Sequence, residues 1–295
     1  MDASILIVSK NRREELAKTL GIIEQQTDAE RHEIRVFLDG STDDSESLKK
    51  EFPKVHWMAS EESLGASKAR NLLYKTAKGK LFFGFDDDAH PLQADFINVA
   101  KGIFEENPRA AIIGFKEIKG IWDSDEDIGE ELLKSQPDYL ANDFVGCGFV
   151  IKKEVYNLTR GFPTWIDIYG EEWCLAIEVL EKDYEILYTH KIFVQHRVDK
   201  TRRGKSANYF RFGKQLKNTS YFYLVYYPFP LLLKKIGRLY FLNFKKYALK
   251  DINYFKEFWK AFLINIFNAI KIFKVRRPVS RETLLKFNKL SNPHY

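Results

Sequence analysis

Leu81-Phe-Phe-Gly-Phe-Asp-Asp-Asp88 is an apolar run that stops at three successive carboxylates. A continuous apolar run of this length reads as a strand buried on both faces, the pattern of a parallel sheet covered by helices. Such sheets gather ligands at the carboxyl ends of their strands. Three adjacent carboxylates repel one another unless a cation or solvent compensates them. Asp86 and Asp88 flank one residue, a spacing that lets both reach one hard cation whose other positions take phosphate oxygens and water. The same spacing also suits a solvated loop, or a helix cap before His90-Pro91.

Outward from this stretch, apolar strands are predicted at Ile5–Val8, Ile34–Leu38, Val55–Ala59 and Ala111–Phe115. Helices are predicted between them at Arg13–Gln25, Asp44–Glu51, Ala66–Ala77 and Gln93–Glu106. This alternation predicts an α/β fold with a Rossmann-like, mostly parallel sheet and helices on both faces. Ser9, Asn11 and Arg12 follow the first strand, and Asp39-Gly-Ser-Thr-Asp43 follows the second. Asp39-Gly-Ser also reads as a plain turn.

The chain has 295 residues, 45% hydrophobic, with 24 Phe, 15 Tyr and 5 Trp, which excludes a disordered or fibrous class. Two cysteines, Cys147 and Cys174, are too few for a disulfide framework or a zinc site, so a reducing, cytoplasmic setting is expected. The net charge of +6 conceals a division: Arg197–Tyr295 holds 23 Lys+Arg against 4 Asp+Glu, hence +19, and Met1–His196 carries −13. A boundary is therefore expected near His196, with one domain over residues 1–200 and a second region over 201–295. Ser4-Ile-Leu-Ile-Val8 lies between Asp2 and Lys10 and reads as a strand rather than a secretory leader. The longest uncharged stretch, Asn218–Leu233, has 16 residues and two prolines, too short for a spanning helix of about 20.

Taken in order, several motifs resemble those of family 2 glycosyltransferases with the GT-A fold. They are Ser4-Ile-Leu-Ile-Val-Ser-Lys-Asn-Arg12, Phe37-Leu-Asp-Gly-Ser-Thr-Asp43, Gly65-Ala-Ser-Lys-Ala-Arg-Asn71 and Phe85-Asp-Asp-Asp88. Gly146-Cys-Gly148, Gly170-Glu-Glu172 and Val194-Gln-His196 continue the series, which spans about two thirds of the chain. The resemblance implies an inverting, metal-dependent hexosyltransferase that uses a nucleotide sugar. By this resemblance Ser9, Asn11, Arg12, Asp39, Arg70, Asp86, Asp87 and Gly148 would bind the nucleotide sugar. Asp86, Asp88 and His196 would hold Mn or Mg, and Glu172 would be the general base. Leu38, Lys10 and Glu172 stand where many members have Asp, Tyr and Asp.

The chemistry suits these roles. Negative charge accumulates on a departing diphosphate, and a divalent cation stabilises it most in the transition state. A positioned carboxylate takes the proton of the attacking hydroxyl. Glu171 is the rival for that task, because neighbours on a helix point about 100° apart. Both acids also suit the first turn of a helix over Glu171–Glu181. His196, at the end of a strand over Lys191–Gln195, reads either as a ligand or as a hydrogen-bonded edge residue. Trp165, Glu171 and Trp173 are acceptor candidates, the two indoles as stacking platforms, although both indoles also fit a core.

In the last third, Tyr254, Phe258, Phe262, Ile266 and Ile270 recur at helical spacing among lysines. Basic amphipathic helices with interspersed aromatics suit an anionic membrane surface, and Tyr221–Leu233 is the expected insertion segment. A solvated helical bundle is the other reading. No nucleic-acid module is present, so no nucleic-acid partner is expected. The expectation is a peripheral enzyme on the inner face of the cell membrane. It would move a sugar, from UDP by preference, to a lipid-linked or cell-surface glycan in polysaccharide biosynthesis. Two alternatives stand beside it: a noncatalytic sugar-nucleotide sensor or scaffold, and a nucleotidyltransferase, although a Gly-rich loop ending in a basic residue is missing from Ser9–Glu14.

Overall fold

The structure, a computed structural model, describes residues 1–122, 124–129, 133–134, 136–198 and 205–293. Its centre is the pair β1 (Ala3–Ser9) and β4 (Leu81–Asp86), parallel neighbours in register from Ala3↔Leu81 to Val8↔Asp86. Parallel strands β2 (His32–Asp39) and β3 (His56–Ser60) extend the sheet on one side. Helices α1 (Arg13–Gln25), α2 (Leu48–Glu51) and α3 (Ala66–Tyr74) connect these strands, with a 3-10 turn over Asp44–Ser47 leading into α2.

On the other side the order continues from β4 to β8 (Gly148–Lys152), β6 (Ala110–Lys119), β9 (Glu185–His196) and β5 (Ala89–Pro91). The described strands thus form one sheet, with β7 (Tyr139–Leu140) paired to β9. β6 and β9 are parallel, whereas β8, β5 and β7 run antiparallel to their partners. Helices α4 (Phe96–Glu106), α5 (Lys153–Leu158) and α6 (Glu171–Glu181) complete this part.

Apolar burial holds the central strands. Ile5, Ile7, Phe83 and Phe85 are almost fully buried, and Phe83 meets Phe96 of α4 edge to face at 5.2 Å. Each such side chain contributes about 1.5–3 kcal/mol relative to exposure. Gly84 sits against Phe149 and Tyr74, where an added Cβ would come within 2.3 Å of the Phe149 ring. Only glycine lets these aromatics close over β4.

The last third is helical: α7 (Lys205–Tyr226), α8 (Leu231–Asn243), a π-helical turn (Phe244–Ala248), α9 (Ile252–Phe273) and α10 (Arg281–Lys289). Tyr221, Phe222, Val225 and Tyr226 of α7 pack on Cys174 and Ile177 of α6 in a second apolar cluster. α10 returns to the sheet, where Asn142 Nδ2 donates to the carbonyls of Phe287 and Leu290 at 3.1 and 3.3 Å. The boundary expected between residues 200 and 201 lies outside the described residues.

Two expectations for this region change. Tyr221, Phe222, Tyr226, Tyr227 and Leu232 are buried, so Tyr221–Leu233 is largely core and not an insertion segment. In the predicted stripe Phe258 is buried, but Ile266 and Ile270 are exposed. A strict four-residue step advances about 40° per repeat on a helix of 3.6 residues per turn, so the stripe winds from the inside to the outside of α9. Among the described residues, no helix is long and apolar enough to cross a membrane.

Candidate functional site

The register of the sheet brings the acids together. β4 ends at Asp86, and β5 then pairs antiparallel with the end of β9, placing Ala89 opposite His196. Asp88 and His196, more than a hundred residues apart in the chain, thereby become neighbours: His196 Nε2 lies 3.2 Å from Asp88 Oδ1. His196 Nδ1 lies 2.5 Å from Glu117 Oε1 of β6. Burial disfavours the imidazolium, but bonds to Asp88, Cys147 and Glu117 outweigh it and push the His196 pKa up to about 12.

Arg12 caps the start of α1 and reaches over the same turn, with Nη2 2.7 Å from Asp88 Oδ2 and Nε 3.3 Å from Asp87 Oδ1. Burial raises the Asp88 carboxyl, but His196 and Arg12 together hold it at about 2. Asp87 is different. Its carboxylate points inward to Ser9 Oγ at 2.7 Å, and burial, only partly offset by Arg12, pushes it up to about 7.

Arg70 is the second organising cation. From within α3 its Nη2 donates to Asp86 Oδ1 at 2.6 Å, and its Nη1 lies 3.2 Å from Glu172 Oε1 and 3.4 Å from Glu171 Oε1. Gly146 permits this approach, because an added Cβ would stand 2.3 Å from Glu172 Oε1. Glu171 and Glu172 open α6 and diverge. Glu171 is buried with no partner for Oε2 among the described residues, whereas the Glu172 side chain, 18% exposed, lines the cavity. Burial, then the Glu172 charge, raise Glu171 to about 8; burial also raises Glu172, against the opposing charge of Arg70.

Most of these groups face a cavity of about 1010 Å³ at the carboxyl ends of β1, β2 and β4, whereas Arg70 and Glu171 lie buried outside its lining. Asn11, Arg12, Asp86, Asp87, Asp88, Glu172 and His196 line it. Asn11 adopts φ 54°, a left-handed conformation that asparagine tolerates, and its Oδ1 accepts from Thr42 N at 2.6 Å. Ser9, Asp39, Gly148, Trp165 and Trp173 do not line this cavity. Asp39 is buried and accepts from Ser63 Oγ, Leu64 N and Gly65 N, so it organises the loop before α3. Gly148 lies within β8, where a Cβ would meet Val194 at 2.7 Å. Trp165 packs beside Tyr221 and Tyr226, and Trp173 beside Phe222.

Sequence reasoning missed Glu117, Lys119, Tyr169, Arg197 and Arg211 as cavity residues. Glu117 carried no signal, because it sits in the charged stretch Lys116-Glu-Ile-Lys119 beyond the apolar run Ala111–Phe115. Tyr169 and Arg211 come from a loop and a distant helix, and no local pattern marks them.

Asp86, Asp88 and His196 present donor atoms within 4.8 Å of one another. Two carboxylates and an imidazole suit Mn or Mg more than a soft metal. A second trio, Glu117, Cys147 and His196, shares the histidine. Its Cys147 sulfur is a soft donor, which Mn and Mg accept less readily than a carboxylate oxygen. The donor chemistry therefore favours the first trio.

A family model described as Glycosyl transferase family 2 matches residues 4–158. No curated protein matches the sequence. Similar solved structures include TarS 1-349 of S. aureus in complex with UDP-GlcNAc, at 14% identity and TM-score 0.60, covering 94% of this chain and 84% of that one. The mannosyltransferase PcManGT of Pyrobaculum calidifontis, in complex with GDP-Man and Mn2+, is 18% identical with TM-score 0.59, covering 90% and 74%. GalNAc-T7 with UDP, GalNAc and Mn2+ is 16% identical with TM-score 0.60, covering 78% and 48%. At these identities the likeness establishes the fold, and the fold is that of GT-A enzymes.

Proposed function

The chain belongs to glycosyl transferase family 2 and is a glycosyltransferase; on that premise we propose that it inverts the sugar it moves from a nucleoside diphosphate, by preference UDP, to a glycan hydroxyl. The observation that carries this reading is the convergence of Asp86, Asp88 and His196 with Glu172 on one cavity, joined through Arg70. Asp86, Asp88 and His196 would hold Mn or Mg, which would supply positive charge against the departing diphosphate. Asn11 and Arg12 bind the nucleotide from the end of β1, with Ser9 acting through Asp87 and Asp39 through the loop it braces.

In the reaction the bond from the sugar's anomeric carbon to the diphosphate oxygen breaks, and its electron pair leaves with the nucleotide. The acceptor oxygen bonds to that carbon from the opposite face, and its proton passes to a Glu172 carboxylate oxygen. Arg70 favours the ionised form of Glu172 against burial and aligns its carboxylate. Glu171 is buried behind it and supports the first turn of α6.

The helices of the last third support a peripheral site on an anionic leaflet, with the acceptor a lipid-linked or surface glycan. Phe267 and Ile270 of α9 are 81% and 76% exposed, and Trp259, Leu263 and Ile266 lie uncovered beside them. Lys256, Lys260, Lys271 and Lys274 flank that apolar face. Apolar exposure with basic flanks fits an interfacial helix better than a solvated one.

The test is a thermal-shift screen of UDP, GDP, dTDP and CDP sugars with and without Mn, followed by assay of the released nucleotide. One donor class should raise the melting temperature mainly with Mn and release nucleoside diphosphate when a glycan is added. Binding without release would point to a sensor, and release of pyrophosphate to a nucleotidyltransferase.

A further inference from the structure

Beside the main cavity lies a smaller one of about 370 Å³, between Trp173 of α6 and the helices α7, α8 and α9. Arg211 lines both and so borders the two. Trp173 follows Glu172 directly in α6. Through Arg211 and Trp173 the smaller cavity adjoins the element that carries Glu172.

Its lining is unlike that of the main cavity. Asn208, Arg211, Gln215 and Thr219 recur three and four residues apart along α7 and so share one face. Asn208 and Gln215 are exposed, and their side-chain amides make no hydrogen bond to a described residue. Asn243 of α8 and the rings of Tyr247 and Tyr254 form the opposite side. No carboxylate lines the cavity, which argues against a cation. Arg211 stacks over Tyr169 at 5.0 Å and has no ion pair among the described residues.

Unengaged amides facing aromatic rings match the chemistry of a sugar. Hydroxyls pair with amide N–H and C=O groups, and the C–H faces of the ring lie against aromatic surfaces. The volume falls in the range of about 300–1,000 Å³ for small-ligand sites. We propose that this groove between Trp173 and the polar face of α7 is the acceptor subsite, seating the sugar units next to the reacting hydroxyl of an oligosaccharide. The proposal rests on the transferase reading of the main cavity.

The test uses the full chain and saturation-transfer NMR with a panel of maltose, cellobiose, lactose, chitobiose and mannobiose at millimolar concentration. At least one should bind, and Asn208→Leu and Gln215→Leu should each weaken it about three- to tenfold, the loss of one or two hydrogen bonds. Both positions are exposed, so the melting temperature should not move. Binding of a UDP or GDP sugar to the same samples should be unchanged. No disaccharide signal, or a signal indifferent to both substitutions while the nucleotide sugar still binds, overturns the subsite. Failure of the unsubstituted protein to bind any nucleotide sugar would instead remove the reading on which the subsite rests.

Discussion

Arg70 Nη2 donates to Asp86 Oδ1 at 2.6 Å, tying helix α3 to the last residue of β4. The same guanidinium is buried and compensates Glu171 and Glu172. Arg70→Met would leave carboxylates clustered without their cation. Removing one partner of a buried ion pair costs about 3–5 kcal/mol, so the denaturant midpoint should fall markedly. A change below about 1 kcal/mol would show that solvent already screens this cluster.

Glu172→Gln should lower transfer by a factor of about 100 to 10,000 and leave the donor dissociation constant unchanged. Glu171→Gln, at a buried position that does not line the cavity, should lower it far less. The pH dependence follows from the sign of the shift. Burial raises the Glu172 pKa, and the base must be ionised. kcat/KM should therefore fall as pH drops through a value above the ordinary glutamate pKa of about 4.3. A profile flat down to that value, or a larger loss in Glu171→Gln, would reassign the base.

Asp167 pairs with Lys214 and Lys217 of α7, and its backbone carbonyl accepts from Ser67 N at 3.1 Å. Burial raises its carboxyl, but the two lysines outweigh burial and hold it well below the usual range. A depressed folded pKa contributes stability that is present above the unfolded value of about 3.9 and lost as pH falls through the folded one. Asp167→Asn should cost about 1 kcal/mol near neutrality, because the pair is partly exposed, and nothing in strong acid. Equal stability of both proteins at neutral pH would contradict this.

Much of the sheet was legible because burial on both faces leaves continuous apolar runs, as in Ile5–Val8 and Leu81–Phe85. α1 and α6 were legible to the residue, each with paired glutamates in its first turn. β5 and β7 were invisible, since three and two residues carry no periodicity and pair only through β9. Asp86 and Asp88 could be singled out from spacing, but not Glu117, whose meeting with His196 depends on the β6–β9 register. The burial of Tyr221–Leu233 was hidden for a related reason: an aromatic helix looks the same whether it meets lipid or α6.

The uncovered face of α9 predicts binding of the full chain to vesicles containing phosphatidylglycerol. Nearby basic residues contribute about 1 kcal/mol each, and added salt weakens the attraction. Flotation should succeed at low salt, and Phe267→Glu with Ile270→Glu should reduce it severalfold. Failure at every lipid composition would leave a solvated helical bundle.

The most direct test is anomalous diffraction from crystals grown with manganese and UDP. A single strong peak should lie between the carboxylates of Asp86 and Asp88 and the His196 imidazole, beside the nucleotide phosphates. Nucleotide bound with no peak there, and both acids still engaged by Arg70 and Arg12, would contradict the account.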